Sequence, residues 1–320
     1  YPVQETLKIL VVRFSSIGDI VLTTPVVRML KKQLNAQVHF LTKAPFVTLF
    51  KNNPNVDAVF QINDSIKEVI SDLKKENYDY VIDLHNNLRT QILKIRLGVG
   101  AKSFNKLNWE KFLLTSFKKN ILPDVHIVDR YLDTVKFLGI ENDNQGLDFF
   151  LSESDKVDLS IFPNNYIAFA IGGQHATKIL PTEKIISICK KLKQPILLIG
   201  GPDDALRGEE IANACSEVVN TCGKYTLLQS AFLIKEADFV ISHDTGMMHV
   251  AAAFKKKIFS VWGNTVPEFG MHPYMANEKS KMIEVKDLSC RPCSKIGFDK
   301  CPKGHFKCMQ EIDENLFLNE

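Results

Sequence analysis

One pattern recurs along this chain: a short run of apolar and β-branched residues, then an amphipathic segment, then another apolar run. A parallel strand, a crossover helix and a second parallel strand produce this alternation, because a parallel sheet buries its strands beneath helices on both faces. The pattern occurs in two series, one in each half of the chain. It predicts an α/β protein with two domains, each built on a parallel sheet.

The two series place the predicted elements and the boundary between them. The first predicts helices at residues 25–34 and 65–76 between strands at 8–14, 37–42, 57–62 and 80–84. The second predicts strands at residues 166–171, 195–201, 238–242 and 257–263. Turn-forming residues interrupt the periodicity between residues 146 and 165, so we place the boundary near Ser154, with domains at 1–154 and 155–320. Because open α/β sheets bind ligands beyond the carboxyl ends of their strands, we expect the chemistry in the loops there and in a cleft between the domains.

Charge and hydropathy narrow the functional classes. The chain has 320 residues, and its 40 Lys and Arg against 37 Asp and Glu give a formal net charge of +3. Such a balance argues against a nucleic-acid partner, although a local basic surface stays possible. No apolar run approaches the roughly 18 residues of a membrane-spanning helix, and the first residues lack a signal-peptide layout. We therefore expect a cytoplasmic protein.

The loop after the first predicted strand carries a carboxylate. It reads SSIGD from Ser15 to Asp19 and leads into a helical stretch. Gly18 shapes this loop by permitting a tight turn. Asp19 is placed either to stabilise the first amides of the helix or to act as a general base that removes the proton of an attacking hydroxyl. The loop taken alone leaves both interpretations open.

A second loop, at residues 242–253, reads SHDTGMMHVAAA and joins a predicted strand to a helix of small apolar residues. Amides at a helix N-terminus bind phosphate, and Gly246 allows a ligand to approach the backbone closely. Asp244, Thr245, Gly246 and His249 are therefore candidates for binding a phosphorylated ligand. The alternative is that Asp244 and Thr245 cap the helix while His249 is a core histidine.

A third loop, GGQHATKILP at residues 172–181, follows the first predicted strand of the second domain. Lys178 can stabilise the negative charge that grows on the diphosphate of a departing nucleotide. The alternative is a solvated surface lysine. Neither GxxxxGK[ST] nor GxGxxG occurs in the sequence, which argues against a P-loop ATPase and a classical nicotinamide enzyme.

Four of the seven cysteines crowd into one stretch, CRPCSKIGFDKCPKGHFKC, with the spacing C-x2-C-x7-C-x6-C. Cys290, Cys293, Cys301 and Cys308 are candidates for a structural zinc site. The alternative is a packing cluster of thiols, because the spacing is less regular than that of paired CxxC knuckles. We expect no catalytic zinc.

Three stretches together resemble the ADP-heptose:lipopolysaccharide heptosyltransferase family, glycosyltransferase family 9. They are RFSSIGDIVLTTPVVRML near the start, GGQHATKILP in the middle, and HDTGMMHVAAAFKKKIFSVWGNTVPEFG at residues 243–270. The resemblance covers nearly the whole chain. It implies the glycosyltransferase B fold, an α/β architecture of two facing Rossmann-like domains with parallel sheets. The N-terminal domain would bind the acceptor, and the C-terminal domain would bind a nucleotide sugar and carry the cysteine-rich tail.

The resemblance also implies a reaction: inverting, metal-independent transfer of heptose from ADP-heptose to a hydroxyl of the lipopolysaccharide inner core, with no cofactor. Asp19 matches the family's general base and Lys178 its diphosphate-binding lysine. The nucleotide-sugar motif is matched by Asp244, Thr245, Gly246 and His249. The chain departs from the family's GPTDP-like stretch at GNTVPE, residues 263–268, so we assign no donor contact there.

The partners follow from the same resemblance. Four basic residues of the first domain favour an anionic glycolipid acceptor and a peripheral contact with the cytoplasmic face of the inner membrane. They are Lys94, Arg96, Lys102 and Lys106. The alternative is that these are solvated charges above packed aliphatic stems.

Two other functions stay open at this point. One is a sugar-nucleotide epimerase or hydrolase on the same architecture, in which Asp19 acts on a bound sugar or water. The other is a non-catalytic protein that binds a nucleotide sugar or uses the cysteine-rich tail for zinc-dependent interactions. A general base together with a diphosphate site favours turnover.

Overall fold

The structure is a computed structural model that describes residues 6–318. Its strands are β1 (Lys8–Val12), β2 (Gln37–Lys43), β3 (Ala58–Ile62), β4 (Tyr80–Asp83), β5 (Gly100–Ser103), β6 (Ile167–Ala170), β7 (Ile196–Ile199), β8 (Val218–Asn220), β9 (Val240–His243), β10 (Ile258–Trp262) and β11 (Lys281–Glu284). Its α-helices are α1 (Ile17–Val21), α2 (Thr24–Leu34), α3 (Ile70–Lys75), α4 (Leu88–Leu97), α5 (Asn108–Phe117), α6 (Ile127–Leu132), α7 (Thr182–Leu192), α8 (Ala205–Ala214), α9 (Leu227–Glu236), α10 (Gly246–Ala253) and α11 (Lys307–Gln310).

The first of two compact units contains residues 6–106 and 125–150. Its sheet has the strand order β3-β2-β1-β4-β5, and all neighbouring strands are parallel. The central strand β1 is buried from Ile9 to Val12, because helices cover both faces of a parallel sheet. The strand order reverses between β1 and β4. Such a switch point is where open α/β sheets bind ligands.

The second unit contains residues 107–124 and 151–318. Its six strands run in the order β11-β10-β9-β6-β7-β8 and are also parallel throughout. Aromatic side chains of the central strands, among them Phe169 and Phe259, are fully buried in its core. The strand order reverses between β6 and β9, so this sheet has its own switch point. The predicted fold class is confirmed, while the domain boundary near Ser154 stays a prediction.

The sequence located the buried strands more reliably than the exposed ones. All eight predicted strands are present to within a few residues. The pattern missed β5 and β11 at sheet edges, because their partly or wholly exposed residues do not form an apolar run, and it also missed the short edge strand β8. The helix predicted at residues 65–76 is divided into a 3₁₀ turn at Ile66–Glu68 and α3. Among the helices of residues 6–318, none has the length and hydropathy needed to cross a bilayer.

Candidate functional site

Asp19 lies in α1, at the switch point of the first unit. Its Oδ1 is 2.7 Å from Nη2 of Arg13. Its Oδ2 accepts hydrogen bonds from the backbone N (3.2 Å) and the Oγ (3.0 Å) of Ser16, so the predicted capping contact is present. The side chain nevertheless keeps 19% of its surface exposed. Capping therefore coexists with a carboxylate that a ligand can reach.

Arg13 fixes this carboxylate from the end of β1, and sequence reasoning did not single it out. Its Nε donates to the Ser15 carbonyl at 2.8 Å and its Nη1 to the Leu84 carbonyl at 2.7 Å. Burial opposes the charged form, but the neighbouring Asp19 carboxylate outweighs it and the pKa of Arg13 is raised. The sequence does contain a signal for Arg13, since it is an arginine at the end of an apolar strand. A buried cation requires a partner of opposite charge or hydrogen-bond acceptors.

His85 follows β4, across the switch point from Asp19. Its ring packs against Phe14 with a centroid separation of 4.9 Å. Burial, followed by the charge of Arg13, lowers the pKa of His85 to about 4. The imidazole is therefore neutral near pH 7 and leaves Asp19 and Arg13 as the charged pair.

Gly18 lies buried within α1 in a helical conformation, so the backbone requires no left-handed turn at that position.

The second unit brings Lys178 and Asp244 together at its switch point. Lys178 ends a 3₁₀ turn after β6, and its Nζ is 2.6 Å from Oδ2 of Asp244 and 3.2 Å from the Asp244 carbonyl oxygen. The lysine side chain is 18% exposed, so it is not the solvated surface lysine of the alternative interpretation. The ion pair places one cation beside the N-terminus of α10.

The N-terminus of α10 carries three more of the predicted residues. Thr245 is the N-cap, but its side chain accepts no capping hydrogen bond. Gly246 is the first helical residue, and His249 is buried one turn later. The amides of this end, with the dipole of α10 behind them, favour an anionic ligand. The nucleotide-binding roles of these residues stay predictions.

Thr265 belongs to this cluster although the sequence analysis assigned it no contact. Its buried hydroxyl donates to Oδ2 of Asp244 at 2.8 Å. Two donors, Thr265 and Lys178, thus converge on one oxygen and fix the Asp244 carboxylate. Glu268, from the same departure from the family pattern, is exposed.

Two side chains hold the loop that carries Lys178: the buried His243 and the partly buried Arg207. Nε2 of His243 accepts the backbone N–H of Leu180 at 3.0 Å. Burial lowers the pKa of His243 to about 3, so the ring is neutral and can accept this bond. Arg207 donates to the carbonyls of Ile171 and Leu180, at the two ends of the loop. Sequence reasoning missed Arg207, because nothing local marks an arginine that acts on a loop about thirty residues away.

Gly172 and Gly173 open this loop where a side chain would meet close neighbours. A Cβ on Gly172 would lie 2.3 Å from Oδ2 of Asp204, and one on Gly173 would lie 3.1 Å from the Thr245 methyl group. Asp204 also accepts the backbone N–H of Gly201 at 2.9 Å. The glycines thus let the loop lie against both α10 and the turn after β7.

The cysteine-rich stretch lies along the edge of this site. All seven cysteines are free thiols, and Sγ of Cys290 is 3.9 Å from Nε2 of His305. Burial raises the pKa of Cys308 to about 12, which keeps that thiol protonated. Within residues 6–318, no three His, Cys, Asp or Glu side chains are grouped so as to hold a metal ion. The zinc site stays an untested prediction.

One of the predicted acceptor lysines has a structural partner. Nζ of Lys94 is 3.0 Å from Oδ2 of the fully buried Asp83 and 2.5 Å from Oγ of Ser103. Lys94 thus neutralises a buried carboxylate. Arg96 and Lys102 are exposed.

Comparison with known proteins identifies the family. The model of glycosyltransferase family 9 (heptosyltransferase) matches residues 66–300. The chain belongs to glycosyltransferase family 9. The matched range includes every predicted donor-binding residue, whereas Asp19 precedes it.

Relatives and solved structures agree with this membership. The family 9 chain is 24% identical to lipopolysaccharide heptosyltransferase 1 of Campylobacter coli, covering 81% of this chain and 84% of the relative. It is 26% identical to lipopolysaccharide heptosyltransferase 3 of Escherichia coli K12, covering 78% and 80%. The structure of E. coli ADP-heptose lps heptosyltransferase II matches with a TM-score of 0.70 at 19% identity, over 95% of this chain and 98% of that one.

A family 9 glycosyltransferase from Veillonella parvula matches with a TM-score of 0.73 at 23% identity, over 88% and 86% of the two chains. At these identities the structural likeness shows the shared fold. The family membership makes this protein a glycosyltransferase.

Proposed function

We propose that this glycosyltransferase moves heptose from ADP-heptose to a hydroxyl of the lipopolysaccharide inner core. The observation that carries the proposal is the Lys178–Asp244 pair at the N-terminus of α10, at the switch point of the second sheet. Its lysine suits a diphosphate and its carboxylate suits sugar hydroxyls. The names of the relatives, which are lipopolysaccharide heptosyltransferases, support the choice of sugar and acceptor.

In this proposal the second unit binds the donor. Lys178 and the first amides of α10 face the diphosphate, and they stabilise the charge that develops as ADP leaves. Oδ2 of Asp244 is already occupied by Lys178 and Thr265. A carboxylate can accept more than two hydrogen bonds. Asp244 can therefore accept hydrogen bonds from hydroxyl groups of the donor sugar without losing its fixed orientation.

The first unit supplies the base. The acceptor hydroxyl oxygen attacks the anomeric carbon from the face opposite the diphosphate, and its proton passes to Asp19. The bond from the anomeric carbon to the phosphate oxygen breaks, and its electron pair leaves with ADP. One direct displacement inverts the anomeric configuration. Lys178 and the helix amides supply the positive charge at the leaving group, so the proposed step is metal-independent.

We also propose a peripheral contact with anionic lipid through α4. Leu88, Ile92 and Ile95 are exposed at i, i+4 and i+7 and form an apolar stripe on this helix. Arg89 and Arg96 lie on the same helix. An apolar stripe flanked by cations suits the surface of an anionic bilayer. Flotation with anionic vesicles tests this contact: I95S together with R96S should lose binding, and neutral vesicles should bind neither protein.

The experiment that tests the function is a donor screen with the purified protein. ADP-heptose, UDP-glucose, UDP-N-acetylglucosamine and GDP-mannose are each incubated with deacylated inner-core acceptor, and released nucleotide and glycan mass are measured. Release of ADP from ADP-heptose alone, dependent on acceptor and matched by a heptose mass shift, is the expected result. Release without acceptor would instead support a hydrolase, epimerised product an epimerase, and tight binding without turnover a non-catalytic binding protein.

A further inference from the structure

Residues 290–298, here called the tail segment, contact both loops of the proposed donor site. On one side, the backbone N–H of Cys293 donates to the Asn264 carbonyl at 2.9 Å. On the other, the Thr177 backbone N–H donates to the Phe298 carbonyl at 3.1 Å, and Phe298 N–H donates to the Thr177 hydroxyl at 2.8 Å. Thr177 immediately precedes Lys178, so both loops that build the Asp244 cluster contact the tail segment.

Arg291 makes the densest set of these contacts. Its Nε donates to the Gly263 carbonyl at 2.5 Å, and its Nη2 donates to the Thr265 carbonyl at 3.0 Å. Its Nη1 donates to the Val285 carbonyl at 2.6 Å, and Glu284 pairs with Nη2 at 2.9 Å. The side chain is only 6% exposed. One guanidinium therefore joins the loop after β10 to the end of β11.

The loop that Arg291 holds is also packed against the Lys178 loop. A Cβ on Gly263 would lie 2.9 Å from the Thr177 carbonyl oxygen and 2.5 Å from the Met309 methyl group. The two loops therefore lie against each other at Gly263, with no room for a side chain between them. A displacement of the loop at residues 263–265 would carry the Thr265 hydroxyl away from Asp244 and disturb the carboxylate that pairs with Lys178.

We propose that Arg291 is a positioning residue of the donor site, and that the tail segment braces the two donor-binding loops. Arg291 does not touch the reacting atoms in this proposal. It acts through Thr265 and Asp244, and so it sets how well the site is preformed before the nucleotide sugar arrives. A fork of five N–H groups can hold several carbonyls at once, which the single ammonium of a lysine cannot. The inference rests on the proposed donor site in the second unit.

The test compares R291M and R291K with K300M, an exposed lysine nearby in the cysteine-rich stretch. Steady-state kinetics give kcat and the separate KM values for ADP-heptose and acceptor, and calorimetry gives the Kd of ADP. We expect R291M to raise the donor KM and the ADP Kd about tenfold, from the loss of hydrogen bonds by a charged group. R291K should recover part of this loss, the acceptor KM should not move, and K300M should match the wild type.

Thr177→Val provides an independent variant should R291M fail to fold, because it removes only the hydroxyl that links the Lys178 loop to Phe298. It should also raise the donor KM. A folded R291M or T177V with unchanged donor KM and ADP Kd would overturn the inference. Wild-type protein that binds neither ADP nor ADP-heptose would instead overturn the proposed function, so the two failures are distinguishable.

Discussion

Asp19 and Lys178 each follow the first strand of their own sheet, yet the chain builds their surroundings differently. Asp19 contacts Arg13 and Ser16, within six residues of itself, and Arg13 is in turn held by the Leu84 carbonyl after β4. Lys178 contacts Asp244, which a further loop fixes through Thr265. These two contacts of Asp19 are local in sequence, whereas the contact of Lys178 joins residues that only the packing of the whole unit brings together. The two should therefore respond differently to substitution.

The largest expected effect is at the local site. Asp19→Asn keeps the size of the side chain and an oxygen that can accept from Ser16, but it removes the proton acceptor. We expect kcat to fall by about 10²–10⁴, with the donor KM unchanged. Rapid-quench measurement of glycan formation checks this, with the exposed Asp72→Asn as control. Full transfer activity in Asp19→Asn would exclude Asp19 as the base.

Lys178→Met tests the assembled site through its charge. Losing the cation beside the diphosphate should lower kcat/KM for the donor roughly 10²–10³-fold and weaken ADP binding. The exposed Lys235→Met of α9 should show neither change. Melting temperatures of both variants separate lost catalysis from lost folding. If Lys178→Met bound ADP as the wild type does, the lysine would not contact the diphosphate.

Acid stability should distinguish the two units. The pKa of His243 is lowered to about 3 by burial, below the ordinary value near 6.5. Between these values the unfolded chain binds the additional proton, so His243 by itself should lower the free energy of unfolding by about 1.4 kcal/mol per pH unit as the pH drops from 6 to 4. Urea unfolding at several pH values measures this slope, which His243→Gln should reduce.

The corresponding histidine of the first unit provides the comparison. The pKa of His85 is lowered to about 4, so its contribution has the same sign and ends at a higher pH. His85→Gln should therefore reduce the slope as much as His243→Gln does above about pH 5, but less near pH 4, where His85 also becomes protonated in the folded chain. Equal reductions near pH 4 would show that the two environments do not differ as the structure indicates.

The smallest expected effect concerns the support of Asp244. Thr265→Val replaces a buried hydroxyl by a methyl group and removes one of two donors to Oδ2. Because Lys178 still pairs with that oxygen, we expect a loss of about 1 kcal/mol in the free energy of unfolding and a modest rise in the donor KM. Denaturant unfolding checks the first, and Thr265→Ser should restore both. No change in Thr265→Val would mean that Lys178 alone orients the carboxylate.

Sequence reasoning identified the polar residues that directly follow the strands and missed the residues that hold those loops in place. Lys178 and Asp244 stood out because each follows an apolar strand in a short polar loop. Arg207 and Arg291 lie in polar segments where an arginine is unremarkable, and their contacts with the loops depend on the packed unit. The edge strands β5 and β11 were missed for a different reason: their exposed residues do not form an apolar run.

The alternation of buried strands and amphipathic helices determined two parallel-sheet units, because a strand buried on both faces must be apolar along its length. The same alternation located the loops at the carboxyl ends of the strands, where we propose that the chemistry occurs. Only the tertiary structure decided that Lys178 meets Asp244 rather than solvent, that Lys94 neutralises Asp83, and that the cysteine-rich stretch contacts the loops of the proposed donor site. Those contacts join residues that are distant along the chain, and their geometry is set by packing, which local sequence patterns do not specify.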